Sequence, residues 1–278
     1  MHHQGVQLMD INPHHVYIVS AAGGNLTALE VLEAPRDRAF YQSRGQELMN
    51  VESDKIAEGE EIEQAGFVIL QTSHMEMTGG EFCGNASRAG ALLLSEALSL
   101  NSFTQTVSGL DQNGEPARVK ASVRDHELNS AYVQCDFTDL PGSPVDVTLA
   151  DGQAAKLVDL GGIVHVLIDA PFKNEKAWYE AEHKKVMEHL DLFSRPAVGV
   201  CWIRPKDNCT KLYPVVWVRD ANTFYYESSC GSGSIAANQV TGAEFIEQPS
   251  EKTIRVRVTG NVTSLSSKME IIDVIKQA

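Results

Sequence analysis

The sequence predicts an α+β protein of two pseudo-symmetric domains, each a mixed or antiparallel sheet wrapped around a central helix. Three observations predict it. Runs rich in Val, Ile, Thr and aromatics far outnumber helical patterns, which argues against a parallel strand-helix array. One helical segment is apolar around most of its circumference, so it must be covered on nearly all sides. The segment that opens this helix is echoed 230 − 83 = 147 residues later, about half of the 278-residue chain.

In chain order, strands are expected at 15–20, 26–32, 66–72, 104–107, 117–123, 131–137, 145–149, 164–170, 197–203, 213–218 and 253–258, each an alternating or apolar run. A helix is expected at 35–50, with Pro35 in its first turn and Ala39, Phe40, Leu48 and Met49 as apolar positions. The all-round apolar helix is expected at 85–100, where Ala86, Ala89, Leu92, Leu93, Leu94, Ala97 and Leu98 occupy most faces. A third, at 174–190, places Trp178, Ala181, Val186, Met187 and Leu190 on one face. The N-terminal half is read as 1–128 plus 265–278 and the C-terminal half as 129–264, with a cleft between them.

Composition narrows the function. Hydrophobic residues make up 43% and charged residues 22%, the balance of an ordinary globular chain. The 37 acids against 23 bases leave a formal charge of -14, which repels a phosphate backbone and an anionic membrane. With no basic-then-apolar leader and no apolar run of about 18 residues, a cytoplasmic location is expected. The five cysteines are Cys83, Cys135, Cys201, Cys209 and Cys230, an odd set without C-x-x-C spacing, so neither a disulfide framework nor a structural zinc site is expected.

Two of these thiols share a context. Glu81-Phe82-Cys83-Gly84-Asn85-Ala86-Ser87 opens the buried helix, and Ser228-Ser229-Cys230-Gly231-Ser232-Gly233-Ser234 opens a second run of small and apolar residues. A helix start carries about half a positive charge and several unpaired N–H groups, which favour a thiolate and also bind a carboxylate. Two such helices facing one cleft would hold a carboxylate between two thiols, one on each face of the carbon that bears it.

Phe82-Cys83-Gly84-Asn85 and Ser229-Cys230-Gly231-Ser232-Gly233 resemble the two signature segments of the diaminopimelate epimerase superfamily of cofactor-independent racemases and epimerases. Gly24-Asn25-Leu26-Thr27 resembles that family's N-terminal Asn segment, and Val164-His165-Val166 falls where it keeps a His. Diaminopimelate epimerases carry a Glu-Arg pair about ten residues before the second Cys; here Val218-Arg219 breaks it. Glu63-Gln64-x-Gly66-Phe67 and Glu227-x-Ser229-Cys230 are most similar to the histidine racemase branch that supplies opine-type metallophore synthesis.

The resemblance implies a two-thiol amino-acid racemase that needs no cofactor and no metal, interconverts L- and D-histidine, and takes only a small-molecule partner; a homodimer is compatible with it. It implies Cys83, Cys230 and Glu63 as catalytic residues and Asn25, Gln64, Gly84, Asn85, His165, Glu227, Gly231 and Ser232 as substrate-binding residues. One thiolate would take the Cα proton and the other thiol would return one from the opposite face. An amino-acid Cα–H is roughly twenty pKa units less acidic than a thiol, about 27 kcal/mol uphill in water, so the helix-start N–H groups must stabilise the carbanion. Glu63 could tune a thiol or bind the ammonium. Action on diaminopimelate or another amino acid, and a thiol redox or metal-sensing role for the same cysteines, remain alternatives. A dinucleotide fingerprint at 231–236 is not supported, since too little chain follows it.

Overall fold

The computed structural model describes residues 10–58, 60–109, 116–219 and 223–276. His2 and His3 lie outside them, as does the 220–222 stretch after Arg219. Among the described residues the chain forms sixteen strands and four α-helices. No helix among them is long and apolar enough to cross a membrane.

The first strands are β1 (Val16–Ala21), β2 (Asn25–Leu32), β3 (Ile62–Ile69), β4 (His74–Met77), β5 (Ser102–Val107), β6 (Ala117–Arg124) and β7 (Ser130–Thr138). They pair in that order, and the last strand, β16 (Val262–Ile275), pairs with both β7 and β1 and so closes the circuit. Helix α2 (Gly84–Leu98) packs against all eight of these strands. Residues 84–95 of α2 are all buried, which fits its lack of a polar face. Small residues make the close approach feasible: a Cβ on Gly90 would lie 2.8 Å from Met75 Cγ.

Strand alternation assigns the two faces of this sheet. In β1, Tyr17, Val19 and Ala21 point to the cluster that contains α2, whereas Val16 and Ile18 join Tyr41 and Leu48 of α1 (Arg38–Leu48) outside. Both faces are therefore covered, and every residue of β1 and β2 is buried. Helix α1 starts later than Pro35 suggests, because the Asp37 carboxylate caps it by accepting from the Phe40 N–H at 2.8 Å.

The remaining strands are β8 (Val145–Thr148), β9 (Ala154–Asp159), β10 (Val164–Asp169), β11 (Ala197–Lys206), β12 (Cys209–Val218), β13 (Thr223–Tyr226), β14 (Phe245–Glu247) and β15 (Thr253–Thr259). They continue the same sheet in the order β16-β15-β14-β12-β11-β10-β9-β8, with β13 on β12. The sheet is mixed, since β10–β11 and β12–β14 are parallel and most other pairs antiparallel. Helix α4 (Gly231–Thr241) packs on β10, β11, β12, β14, β15 and β16. Helix α3 (Lys176–His189) closes the opposite face, burying Tyr179, Val186 and Met187 with Val198, Val200, Trp202, Val215 and Trp217.

Candidate active site

The two Cys-Gly segments fold alike. Cys83 and Cys230 are the N-cap residues of α2 and α4, with extended backbones of φ −131°, ψ 114° and φ −132°, ψ 110°. Each sulfur accepts an N–H three residues on, from Ala86 and Gly233, both at 3.3 Å. Each Cys carbonyl accepts the hydroxyl four residues on, from Ser87 at 2.7 Å and Ser234 at 2.6 Å. The helix starts abut: a Cβ on Gly231 would lie 2.8 Å from Gly84 C and 2.9 Å from Asn85 N. Only glycine permits that approach.

Buried side chains lock the two starts together. Asn85 Nδ2 donates to Ser229 O at 2.7 Å, and its Oδ1 accepts from Arg88 Nη2 at 2.5 Å. Arg88 is fully buried and also donates to Gly84 O and Ser267 Oγ. Gln248, equally buried, accepts the Cys230 N–H at 2.8 Å. The Asn85 side chain is thus committed to holding the helices.

A polar chain joins the thiols. Cys83 Sγ donates to Gln64 Oε1 at 2.9 Å, and Gln64 Nε2 donates to Glu227 Oε1 at 2.9 Å. Glu227 in turn interacts with the Cys230 thiol. Beside this chain, Glu63 accepts from Asn25 Nδ2 at 2.9 Å and from Ser228 Oγ at 2.5 Å. His165 is fully buried behind Ser232, with Nε2 at 3.0 Å from Ser232 Oγ, which lies 3.7 Å from Cys230 Sγ. Its ring fills the space a side chain at Gly199 would need. His165 therefore reaches the thiol through Ser232. Burial lowers its pKa to about 3, so it is neutral.

Burial dominates the electrostatics. Glu63 is pushed up to about 8, first by desolvation and then by the Glu227 charge. Glu227 is pushed up to about 7 by desolvation, against the pull of Cys230 and Gln64. The expectation that helix starts favour thiolates is corrected here. Desolvation lifts Cys83 to about 12, outweighing the N–H groups of Ala86 and Asn85, and burial followed by Glu227 raises Cys230 well above its ordinary value. Burial thus opposes the thiolate at both positions.

A cleft of about 740 Å³ opens beside the site. Glu61, Glu63, Tyr179, Phe224, Tyr225 and Tyr226 are among its lining residues, with Gly24 and Ser228. Glu63 and Ser228 thus connect the cleft to the buried chain, while Cys83 and Cys230 are only 8% and 2% exposed. Arg219 is elsewhere, donating to Ser194 O at 2.7 Å. Sequence reading missed Arg88, Ser228 and Gln248. The signal for Arg88 was a charge in the first turns of a mostly apolar helix, far from its polar C-terminal end; Ser228 and Gln248 gave none.

The family model described as the histidine racemase CntK N-terminal domain matches residues 23–270. The chain belongs to this family. A histidine racemase of Fusobacterium nucleatum subsp. nucleatum (strain ATCC 23726 / VPI 4351) is 29% identical over 182 residues, a stretch covering 63% of this chain and 64% of that relative. The match thus spans just under two thirds of the relative's length. Among solved structures, a predicted epimerase from Pseudomonas aeruginosa superposes with a TM-score of 0.61 at 11% identity, covering 95% of this chain and 99% of that one. A hydroxyproline epimerase from Agrobacterium vitis, solved with bound trans-4-hydroxy-L-proline, gives 0.54 at 12% identity, covering 95% and 90%. The mixed-sheet α+β fold of this histidine racemase family member is therefore that of the epimerases.

Proposed function

We propose that the protein is a cofactor-independent racemase that interconverts L- and D-histidine with Cys83 and Cys230 as its two acid-base groups. The observation that carries this is the abutment of two like-built helix starts, each capped by a thiol, with the Cys83 thiol linked through Gln64 to Glu227, whose carboxyl acts on the Cys230 thiol. The two pseudo-symmetric halves, 1–128 plus 265–278 and 129–264, each supply one helix, and the site lies where they meet.

In this reading the substrate carboxylate sits on the N–H groups of Gly84, Asn85, Gly231 and Ser232, so that charge developing at Cα is delocalised towards preorganised donors in a dry site. One cysteine, as the thiolate, takes the proton as the Cα–H bond breaks, and the other, as the thiol, protonates the opposite face. The helix-start N–H to each sulfur stabilises that thiolate as it forms. Asn25 and Glu63 hold the α-ammonium, and Gln64 and Glu227 orient the thiols. His165 holds Ser232 in place.

The side-chain end of the substrate then faces the cleft. Tyr179, Phe224, Tyr225 and Tyr226 offer a flat aromatic wall suited to an imidazole, with Glu61 as an acceptor for its N–H. Lys176, Lys184, Glu60 and Glu180 also line the cleft, so discrimination against diaminopimelate rests on the shape of the cleft and on the broken Glu-Arg pair, not on a lack of charged partners. Supply of D-histidine to metallophore synthesis fits this reading. Chiral chromatography of parallel reactions tests it: D-histidine should form from L-histidine, with little conversion of LL-diaminopimelate or L-alanine. A kcat/KM for LL-diaminopimelate at or above that for histidine would overturn the substrate assignment.

A further inference from the structure

A two-thiol racemase ends each turnover in the wrong state to repeat it. The base has become a thiol and the acid a thiolate, so a proton must return between them before the same enantiomer can react again. The environment makes that return difficult, because both sulfurs are buried and neither faces bulk water. Glu227 is linked to one thiol through Gln64 and acts on the other directly. Its Oε1 is held by Gln64, whose other end holds Cys83, while its Oε2 is buried without a hydrogen-bond partner. The groups that act on its carboxyl are the Cys230 thiol and the Gln64 amide, neither a cation. The other ionisable groups facing it are Glu63, Cys83 and Cys201.

We propose that Glu227 is the proton carrier that resets the thiol pair between turnovers. This rests on the racemase reading above. After product leaves, Cys230 S–H breaks as Glu227 Oε2–H forms; the carboxylic acid then releases its proton, through one water admitted from the cleft, to the Cys83 thiolate, where S–H forms. The opposite enantiomer runs the same steps backwards. No electrons are exchanged and the proton count is unchanged. A carboxyl titrating at about 7 can hold or release this proton near neutrality. Gln64 holds Oε1 through its amide N–H and leaves Oε2 free to take or give the proton, so the contact survives either protonation state.

The test is tracer perturbation with Glu227→Gln, which keeps an acceptor for Gln64 but carries no proton. Labelled histidine at equilibrium between its enantiomers receives an excess of unlabelled L-histidine. A slow reset leaves the enzyme in the form that binds D-histidine, so label should flow transiently from D to L in the variant and much less in the wild type. Net conversion at saturating substrate should fall at least tenfold, and kcat/KM by a smaller factor. Glu227→Asp, which still titrates, should suppress the transient. If Glu227→Gln fails to fold, Gln64→Leu should give the same transient, because it leaves the carboxyl unaligned. A Glu227→Gln enzyme with kcat/KM reduced as much as kcat and no transient would overturn the proposal and make Glu227 a substrate-binding group. A wild type that racemises no amino acid would overturn the racemase reading and this inference with it.

Discussion

Gly84 and Gly231 meet backbone to backbone at the starts of α2 and α4, each occupying the space that a side chain on the other would need. Their closeness fixes the relation between the two thiols, because each glycine directly follows its cysteine. Gly231→Ala should force the helix starts apart. A buried methyl inserted without room costs about 1–3 kcal/mol. A lower urea midpoint with unchanged slope, and a kcat/KM reduced at least tenfold, are the expected outcomes; an unaltered midpoint and activity would mean that the contact is slack.

Gln248, just past β14, holds the Cys230 N–H. Gln248→Leu leaves that buried donor unpaired, a loss of about 1–3 kcal/mol, and frees the second cap to shift. Denaturant unfolding together with racemisation rates should register both effects. The corresponding change at the surface, Gln46→Leu, should register neither.

The cysteine-capped helix starts were legible in the sequence because the two segments repeat and because α2 has no polar face. The longest strand, β16, was not. Its buried Thr263, Ser266 and Ser267 replace the apolar alternation that marks a strand, and they are buried because Ser267 receives Arg88 and Ser266 meets Tyr132. The thiol pKa expectation failed for a related reason. A helix start is visible locally, whereas the burial and the Glu227 charge that oppose it come from folding. Asn25, Glu63, Gln64 and Glu227 were singled out one by one, but their linkage into two short chains across the site could not be read from spacing.

The raised carboxyl of Glu63 makes stability depend on pH. Its folded pKa of about 8 lies above the ordinary value of 4.5, so the folded state favours the protonated form. The stabilisation is fully present below about 4.5 and is lost as pH rises through about 8. Glu63→Gln cannot ionise and should flatten this part of the curve, gaining at least about 1 kcal/mol over wild type at pH 9 relative to pH 5, less than one pKa unit's worth. Paired unfolding curves at the two pH values would measure it, and parallel losses in both proteins would contradict the assignment.

Thiol reactivity should follow burial. Cys209, at the start of β12, is partly exposed, whereas Cys83 and Cys230 are buried thiols with raised pKa values. Iodoacetamide at pH 7.5, a condition of about the usual kind for thiols, should therefore label Cys209 first, as read by peptide mass mapping. Labelling of Cys83 at the rate of Cys209 would contradict the burial of the thiol pair.

The most direct measurement of the two-thiol chemistry is Cα exchange during racemisation in D2O. Starting from L-histidine, the wild type should form D-histidine carrying deuterium at Cα while the remaining L-histidine is still largely protiated at early times, because the proton is taken on one face and returned on the other by a different, solvent-equilibrated thiol. Cys83→Ala and Cys230→Ala should each fold and form no D-histidine. A Cys83→Ala or Cys230→Ala protein that racemised at a rate near wild type would contradict the assignment of the two thiols.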